Sequence, residues 1–164
     1  MNAILVIEGC DCAGKSFLAN QIMKAYPNHV YIHNAVTDDI YALHKNTIDA
    51  AIEASKHHLV IVDRLHLSEK VYGTVFRNGP SYDYEKFDKW LDTIPNLKKI
   101  LCIVDKETCL KKHSERLEDE MFHHSMDKVW TMYNDVNDPS WTRYNWKTDE
   151  FDFSDFTVKH GVKA

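Results

Sequence analysis

Short apolar runs alternate along the chain with segments of helical periodicity. Three runs are apolar almost throughout, as strands buried on both faces are: Ala3–Ile7, Leu59–Val62 and Lys99–Val104. His29–Ile32 is a weaker fourth run, and Trp141–Lys147 alternates enough to be a last strand. The pattern therefore predicts a sheet of about five strands.

Apolar residues recur at helical spacing between these runs. The spacing predicts helices over Ser16–Tyr26, Asp38–His57, Leu67–Phe76 and Tyr84–Ile94, and a long helical stretch over Glu107–Val136 that breaks near His123–Ser125. Strands that alternate with helices indicate crossover connections, which place parallel strands between two layers of helices. We therefore predict a three-layer α/β fold, with residues 1–164 as a single domain.

The composition is that of a globular protein with no broad nucleic-acid-coating surface. In 164 residues, 44% are hydrophobic and 12% aromatic, which excludes a disordered chain. A net charge of −5 argues against a generally basic surface, although a local basic cleft stays open.

The cysteines and the N-terminus predict a reducing, cytoplasmic compartment. The four cysteines have neither paired zinc spacing nor the density of a secreted disulfide scaffold. Met1–Gly9 lacks a basic region, so we interpret it as a strand and not as a signal peptide. No segment approaches the run of about 18 apolar residues that spans a bilayer, so we expect no membrane partner.

One segment carries a specific chemical signal. The sequence pattern G-x-x-x-x-G-K-[ST] is matched by Gly9, Cys10, Asp11, Cys12, Ala13, Gly14, Lys15 and Ser16, between a predicted strand and a predicted helix. In that context the backbone N–H groups of the loop and the start of the helix bind the phosphates of ATP. We expect Lys15 to reach the β- and γ-phosphates and to face solvent until they arrive, and the Ser16 hydroxyl to bind Mg²⁺.

A second motif lies at the end of the third predicted strand. Four apolar residues, Leu59–Val62, are followed by Asp63, as in the Walker B strand that places a carboxylate beside the metal. Together with the phosphate loop, this predicts that Asp63 assists Mg²⁺, partly through water.

Both signals resemble the motifs of thymidylate kinases. Glu8–Ser16 is similar to their loop E-G-x-D-G-x-G-K-[ST], and Asp63–Tyr72 is similar to their segment D-R-Y-x-x-S-x-x-A-Y. Deoxynucleoside kinases have a related acidic-Arg pair at that place. The resemblance covers about residues 1–120. It implies a P-loop NTPase fold and an ATP- and Mg²⁺-dependent kinase that transfers the γ-phosphoryl group to a nucleoside- or nucleotide-type acceptor.

The resemblance also implies roles for individual residues. Arg64 contacts the acceptor or the transferring phosphoryl group, and Asp11 lies near the acceptor. Ser68 and Tyr72 face the acceptor pocket. Two alternatives stay open: Arg64 pairs only with Asp63, and Tyr72 belongs to the core.

A basic segment lies where such kinases carry a lid. Lys112 and Arg116 are four residues apart and share a helix face, so Arg116 is a candidate catalytic cation for the transferring phosphoryl group. The alternative is a solvated charged face on which Glu115 and Glu118 pair with these cations.

The acceptor side departs from the thymidylate kinase pattern. Those enzymes carry R-E-P-G after the second strand, where the Arg holds the acceptor phosphate, whereas this chain has His33–Thr37, with His33 as the candidate acceptor contact. A missing cation favours a hydroxyl acceptor, whose proton a carboxylate such as Asp11 or Asp63 accepts. Alternatively, Arg143 folds back from the tail and replaces the missing cation.

Other functions stay open at this stage. One is a phage-type kinase acting on a hydroxymethylated pyrimidine, 5-hydroxymethyluracil, in DNA, which makes DNA a candidate partner. Another is an ATP-binding switch without an acceptor; the guanine motif N-K-x-D is missing. The sequence does not exclude an oligomer. In the tail, Phe151, Phe153 and Phe156 either anchor the chain on the core or form a base-stacking platform.

Overall fold

The computed structural model describes residues 1–35, 37–115 and 120–163, and for residues 120–124 the backbone only. The strands are β1 (Ile4–Glu8), β2 (His29–His33), β3 (Leu59–Asp63), β4 (Leu97–Cys102), β5 (Trp141–Tyr144), β6 (Glu150–Asp152) and β7 (Thr157–Lys159). The helices are α1 (Lys15–Ala25), α2 (Ile40–Ala54), α3 (His66–Phe76), α4 (Tyr84–Asp92), α5 (Lys106–Ser114) and α6 (Glu120–Asn134).

The five-stranded sheet confirms the predicted α/β fold. Its strand order is β2-β3-β1-β4-β5, and every pair in it is parallel. The register sets Ile7 of β1 opposite Asp63 of β3. Because parallel strands end at the same edge, the loop after β1 and the segment after β3 leave the sheet side by side.

Helices cover both faces of the sheet, and β1 shows why. Its residues alternate between two separate apolar clusters, as side chains of a strand must. Leu5 and Ile7 pack on one face with residues of α1, α3 and α6, whereas Ile4 and Val6 pack on the other with α2 and α4. This two-sided burial explains why the central strands are apolar runs without polar alternation.

The C-terminal segment completes the sheet and then covers the core. β5 confirms the predicted last strand, and β6 and β7 form an antiparallel pair beyond it. Phe151 is 5% exposed, and its ring packs at an angle on Tyr144. Phe153 and Phe156 lie against the same apolar cluster, which confirms the prediction that these aromatic residues anchor the tail.

Several predicted boundaries differ from those in the structure, and two of the differences have a clear physical reason. Within the predicted long helical stretch, α5 ends at Ser114, whereas His123–Ser125, where we expected the break, lies within α6. The spacing of Met126, Val129 and Tyr133 on the buried face sustains the helix there, and His and Ser disfavour a helix only weakly. β4 ends two residues before Val104, because buried apolar residues continue past the last strand pairing.

Among the described residues, no helix combines the length and the apolar character needed to cross a bilayer.

A buried carboxylate joins β1 to α3. Glu8, which is fully buried, accepts backbone hydrogen bonds at Oε1 from Leu65, Leu67 and Ser68 over 2.8, 3.1 and 3.2 Å. Its Oε2 accepts a further hydrogen bond from the Ser68 hydroxyl. The first N–H groups of a helix have no partner within the helix and carry partial positive charge, so a carboxylate there is strongly stabilising.

We expect Gly9→Ala to destabilise the fold by about 3 kcal/mol or more. Gly9 has φ +149°, and a Cβ there would lie 2.4 Å from the carbonyl oxygen of Cys102. Gly161→Ala is the matched control, since that residue also has positive φ, +67°, but open space around it. The control should lose about 1 kcal/mol in urea unfolding. Equal losses in the two variants would contradict the close approach of the chain after β1 to β4.

We expect Glu8→Ala to lower the free energy of unfolding by at least about 3 kcal/mol, because it leaves several buried N–H groups without an acceptor. Glu8→Gln keeps one acceptor oxygen and should lose less. The control is Glu53→Ala on α2, where an exposed side chain pairs only with Lys56 and the change should stay within about 0.5 kcal/mol. Urea unfolding, followed by tryptophan fluorescence, measures the free energy of unfolding of each variant. Similar losses for the Glu8 and Glu53 variants would refute the stabilising role of the Glu8 hydrogen bonds.

Candidate active site

The loop between β1 and α1 has the backbone of a phosphate-binding loop. Gly9, Cys12 and Gly14 all have positive φ, and the Ala13 N–H donates to the Cys10 carbonyl over 3.2 Å. Cys12, at φ 69°, stands where the thymidylate kinase motif has Gly. A side chain in that conformation is strained, so the loop is held by its surroundings and not by local preference.

Lys15 opens α1 and is 7% exposed, so the expectation that it faces solvent is wrong. A long side chain can bury its stem along the protein surface while its ammonium reaches a cavity. Burial and the nearby Arg64 lower the pKa of Lys15, whereas Asp63 and Asp11 act in the opposite direction. An anion that enters the cavity beside Lys15 would relieve this repulsion between cations.

Asp63 ends β3 as a buried carboxylate, 3% exposed. Its Oδ2 accepts a hydrogen bond from the Tyr31 hydroxyl and lies 3.4 Å from Nδ1 of His33. Its Oδ1 is buried and has no hydrogen-bond partner among the described residues. Ser16 lines the same cavity as Asp63. A carboxylate and a hydroxyl on the wall of one cavity suit a hard cation such as Mg²⁺, which prefers oxygen ligands.

Arg64 is held in a strained conformation directly after Asp63. It has φ 69°, and its N–H donates to the Ile7 carbonyl over 3.1 Å while its own carbonyl accepts from Nδ2 of Asn34 over 2.8 Å. These hydrogen bonds come from β1 and from the segment after β2. The backbone around Arg64 is therefore fixed from both sides, which offsets the strain.

The Arg64 guanidinium pairs with Asp11 of the phosphate loop and not with Asp63. It also donates to the Ser68 hydroxyl over 3.4 Å and lies 5.3 Å from the centre of the Tyr72 ring. The alternative that Arg64 pairs only with Asp63 is thus wrong. The planar guanidinium group of Arg64 is therefore oriented by a carboxylate, a hydroxyl and an aromatic face together.

Two cavities meet at this guanidinium. A cavity of about 530 Å³ lies over the phosphate loop and reaches Lys15, Ser16 and Asp63. A second cavity, of about 300 Å³, lies between α2 and α3. Both are lined by Asp11, His33 and Arg64.

The second cavity contains the sequence-predicted acceptor residues. The Tyr72 side chain lines it, and its buried hydroxyl has no hydrogen-bond partner in the part of the chain that the structure describes. Tyr72 therefore belongs to the cavity wall while also packing against the core. Ser68 lines the same cavity, but its hydroxyl is engaged with Glu8 and, over 2.9 Å, with Tyr133.

Among the further residues of this cavity, sequence reasoning missed three titratable ones, namely His44, Glu69 and Arg77. Arg77 donates to Glu69 over 2.6 Å. Burial raises the pKa of Glu69, but hydrogen bonds from Arg77 and Ser81 outweigh it and lower the pKa overall. Burial lowers the pKa of His44 to about 4, so its imidazole is neutral at pH 7. Helical spacing alone could have found His44, one turn after Ile40 on the buried face of α2.

Two residues of the predicted basic lid segment line the phosphate-loop cavity: Lys112 on α5 and Glu115 directly after that helix. The Lys112 ammonium lies 4.3 Å from the centre of the Trp146 ring, a cation–π distance. That ring packs on the phosphate loop so closely that a Cβ on Gly14 would lie 2.7 Å from it. The candidate lid residue Arg116 lies outside the described residues.

Arg143 does not replace the missing acceptor cation. Its guanidinium donates to the carbonyls of Asn134 and Val136 over 3.2 and 3.0 Å and lines a different cavity. The alternative that it folds back over the acceptor is wrong, because β5 directs it towards the end of α6.

The comparisons with known proteins agree with this geometry at the level of fold. Neither the protein-family models nor the curated proteins give a match. Among solved structures, the chain is similar to the YorR protein from Bacillus subtilis in complex with phosphorylated GDP, with a TM-score of 0.67 and 19% identity over 88% of this chain and 85% of that one.

Thymidylate kinase from Candida albicans has a TM-score of 0.55 and 14% identity over 87% of this chain and 83% of that one. For deoxyadenosine kinase from M. mycoides with bound dATP, the TM-score is 0.52 and the identity 17%, over 87% of this chain and 90% of that one. The chain therefore has the P-loop fold of nucleoside and nucleotide kinases.

Proposed function

We propose that the protein is an ATP- and Mg²⁺-dependent kinase that transfers the γ-phosphoryl group to the hydroxyl of a nucleoside- or nucleotide-type acceptor. The observation that carries the proposal is the meeting of the two cavities at Asp11, His33 and Arg64. A donor in one cavity and an acceptor in the other would face each other across the Arg64 guanidinium. The P-loop kinase fold supports the same conclusion.

The donor phosphates occupy the larger cavity in this proposal. The backbone N–H groups of Gly9–Ser16 and the N-terminus of α1 bind them, as helix N-termini bind anions. Lys15 places its ammonium beside the β- and γ-phosphates. Trp146 and Lys112 close one side of the loop, and water exclusion there strengthens each charge interaction.

Ser16 and Asp63 hold Mg²⁺ in this proposal, Asp63 partly through water. Within the described residues, no group of three or more His, Cys, Asp or Glu side chains could hold a metal ion. That suits Mg²⁺, which is bound by one or two protein oxygens and completes its shell with water and substrate phosphates. When bound, the ion neutralises charge on the phosphates during transfer. Tyr31 and His33 orient the Asp63 carboxylate for this role.

Asp11 and Arg64 act on the transfer itself. Of the two candidate carboxylates, Asp11 lines both cavities, whereas Asp63 lines only the donor cavity. Asp11 is therefore the group that accepts the acceptor's hydroxyl proton. Arg64, oriented by Asp11 and Ser68, stabilises the charge on the transferring phosphoryl group, and Arg116 supplies a further cation.

The charges around the smaller cavity favour a hydroxyl acceptor over a phosphate acceptor. Its two guanidinium groups are each neutralised, Arg64 by Asp11 and Arg77 by Glu69. His44 is neutral at pH 7 because burial lowers its pKa to about 4. A dianionic acceptor would then have too little positive charge to offset its repulsion from the donor phosphates. At about 300 Å³ the cavity is at the lower end of small-molecule pockets, as a nucleoside requires.

We expect Lys15→Met to reduce kcat by about 10²- to 10³-fold with little change in folding. Methionine occupies the space of the buried lysine stem but has no ammonium group. The decrease in kcat therefore reports the missing charge and not a cavity in the core. Lys24→Met, in the exposed last turn of the same helix, is the control and should keep the wild-type rate. Steady-state kinetics measures the rates and thermal unfolding measures folding. A folded Lys15→Met protein with normal kcat would overturn the donor-site assignment.

We expect phosphoryl transfer to thymidine to exceed transfer to thymidine monophosphate when both are assayed under one set of conditions. DNA that contains 5-hydroxymethyluracil and a reaction without acceptor complete the comparison, with labelled ATP as donor. The DNA arm tests a polymeric hydroxyl acceptor, and the reaction without acceptor measures hydrolysis by a switch. Strong preference for the monophosphate would refute a hydroxyl acceptor, and free phosphate alone in every arm would refute the kinase.

A further inference from the structure

Two cysteines that are distant in the sequence meet beneath the phosphate loop. Cys10, the second residue of the loop, and Cys109, in α5, are 99 residues apart, yet their Sγ atoms lie 2.9 Å apart. Both side chains are fully buried. Cys109 Sγ also lies 3.3 Å from the carbonyl oxygen of Asp11, so its thiol touches the loop at two successive residues.

This pair is positioned for a covalent bond. A disulfide has an S–S distance of about 2.05 Å, and the two sulfur atoms already lie within about 1 Å of that separation. A thiol–thiol contact stabilises a fold only weakly, since S–H is a poor donor and sulfur a poor acceptor. Burial of two small apolar groups does not require that both be cysteine.

We propose that Cys10 and Cys109 form a redox-active dithiol that a peroxide converts into a disulfide between the phosphate loop and α5. The chemistry needs a small oxidant, because both sulfur atoms are buried, and hydrogen peroxide meets that condition. The proposal concerns the sulfur atoms alone and does not depend on the proposed kinase activity.

The oxidation balances in two steps. The Cys109 thiolate attacks one oxygen of hydrogen peroxide, the O–O bond breaks, and hydroxide leaves, so that Cys109 becomes a sulfenic acid. The Cys10 sulfur then attacks the Cys109 sulfur and forms the S–S bond. The departing hydroxyl takes up the Cys10 proton and leaves as water. Overall, two thiols and one peroxide yield one disulfide and two waters. A dithiol reductant reverses the bond by exchange.

The surroundings favour Cys109 as the attacking sulfur. The hydrogen bond from Cys10 lowers the pKa of the Cys109 thiol. The contact with Cys109, together with burial, raises the pKa of Cys10, which stays protonated. The thiolate is the nucleophile in such reactions, so Cys109 reacts first and Cys10 resolves the sulfenic acid.

The disulfide would act directly on the phosphate-loop cavity. Cys10 contributes a backbone N–H to the loop, and α5 with the residue directly after it brings Lys112 and Glu115 to the cavity wall. Joining the two removes the freedom of the loop to adjust around a phosphate. On the proposed function, the oxidised protein should therefore bind the donor nucleotide more weakly, and reduction should restore binding.

The first experiment maps disulfides in the folded full-length chain after brief treatment with hydrogen peroxide. We expect a peptide pair linked through Cys10 and Cys109, with the mass of two hydrogens lost, and a higher melting temperature, because the bond restrains the unfolded chain across a long loop. Cys102→Ala, which alters the remaining fully buried thiol, should still form the link, whereas Cys109→Ser should not. If wild type forms no link, or links Cys10 to Cys12 or Cys102 instead, the proposal is overturned.

The second experiment measures binding of an ATP analogue to the reduced and oxidised proteins. We expect oxidation to weaken binding at least tenfold in wild type and in Cys102→Ala, with recovery after dithiothreitol, and to leave Cys109→Ser unchanged. An equal loss in Cys109→Ser would assign the effect to another thiol and overturn the pair as its cause. A Cys10–Cys109 link in a protein that does not bind the analogue in its reduced form would refute the proposed donor site and leave the dithiol standing.

Discussion

The hydrogen bonds of the buried Glu8 carboxylate are the constraint on which the site depends. They join the end of β1, where the phosphate loop begins, to the start of α3, which carries Ser68 and Tyr72. The phosphate-loop cavity and the cavity between α2 and α3 are built on these two segments. A fully buried carboxylate loses free energy with every donor it gives up, so the distance between the two cavities is fixed by the same bonds that stabilise the fold.

Charged groups meet in this small volume with their charges largely balanced. Arg64 pairs with Asp11 and Arg77 with Glu69, whereas Lys15 lies close to the Arg64 guanidinium and has a lowered pKa from burial and that neighbour. Buried cations without full compensation cost free energy. An anion bound beside Lys15 and Arg64 would offset this cost, so the repulsion between the two cations would add to its affinity.

Local patterns predicted the fold and the phosphate-loop side of the candidate site. The buried strands were evident because residues such as Ile4–Ile7 are apolar on both faces, and the Walker motifs place Lys15 and Asp63 by spacing alone. The cavity between α2 and α3 depends on the packing of these two helices, which no local pattern records. Arg77 directly follows α3, where a charged residue in the sequence is usually solvent-exposed. Its ion pair with Glu69 becomes visible only in the folded structure. The burial of Lys15 was missed for the same reason.

The position of β5 in the chain has a consequence for synthesis on the ribosome. β5 pairs with β4, and its Trp141 and Tyr144 fill the same apolar cluster as residues of α1 and α6. A nascent chain that has just extended past α6 therefore presents an unpaired β4 edge and an open apolar surface. Such edges template aggregation. The polypeptide depends on β5 and the aromatic residues after it to close that edge, so the interval before their emergence is when a chaperone would be needed most.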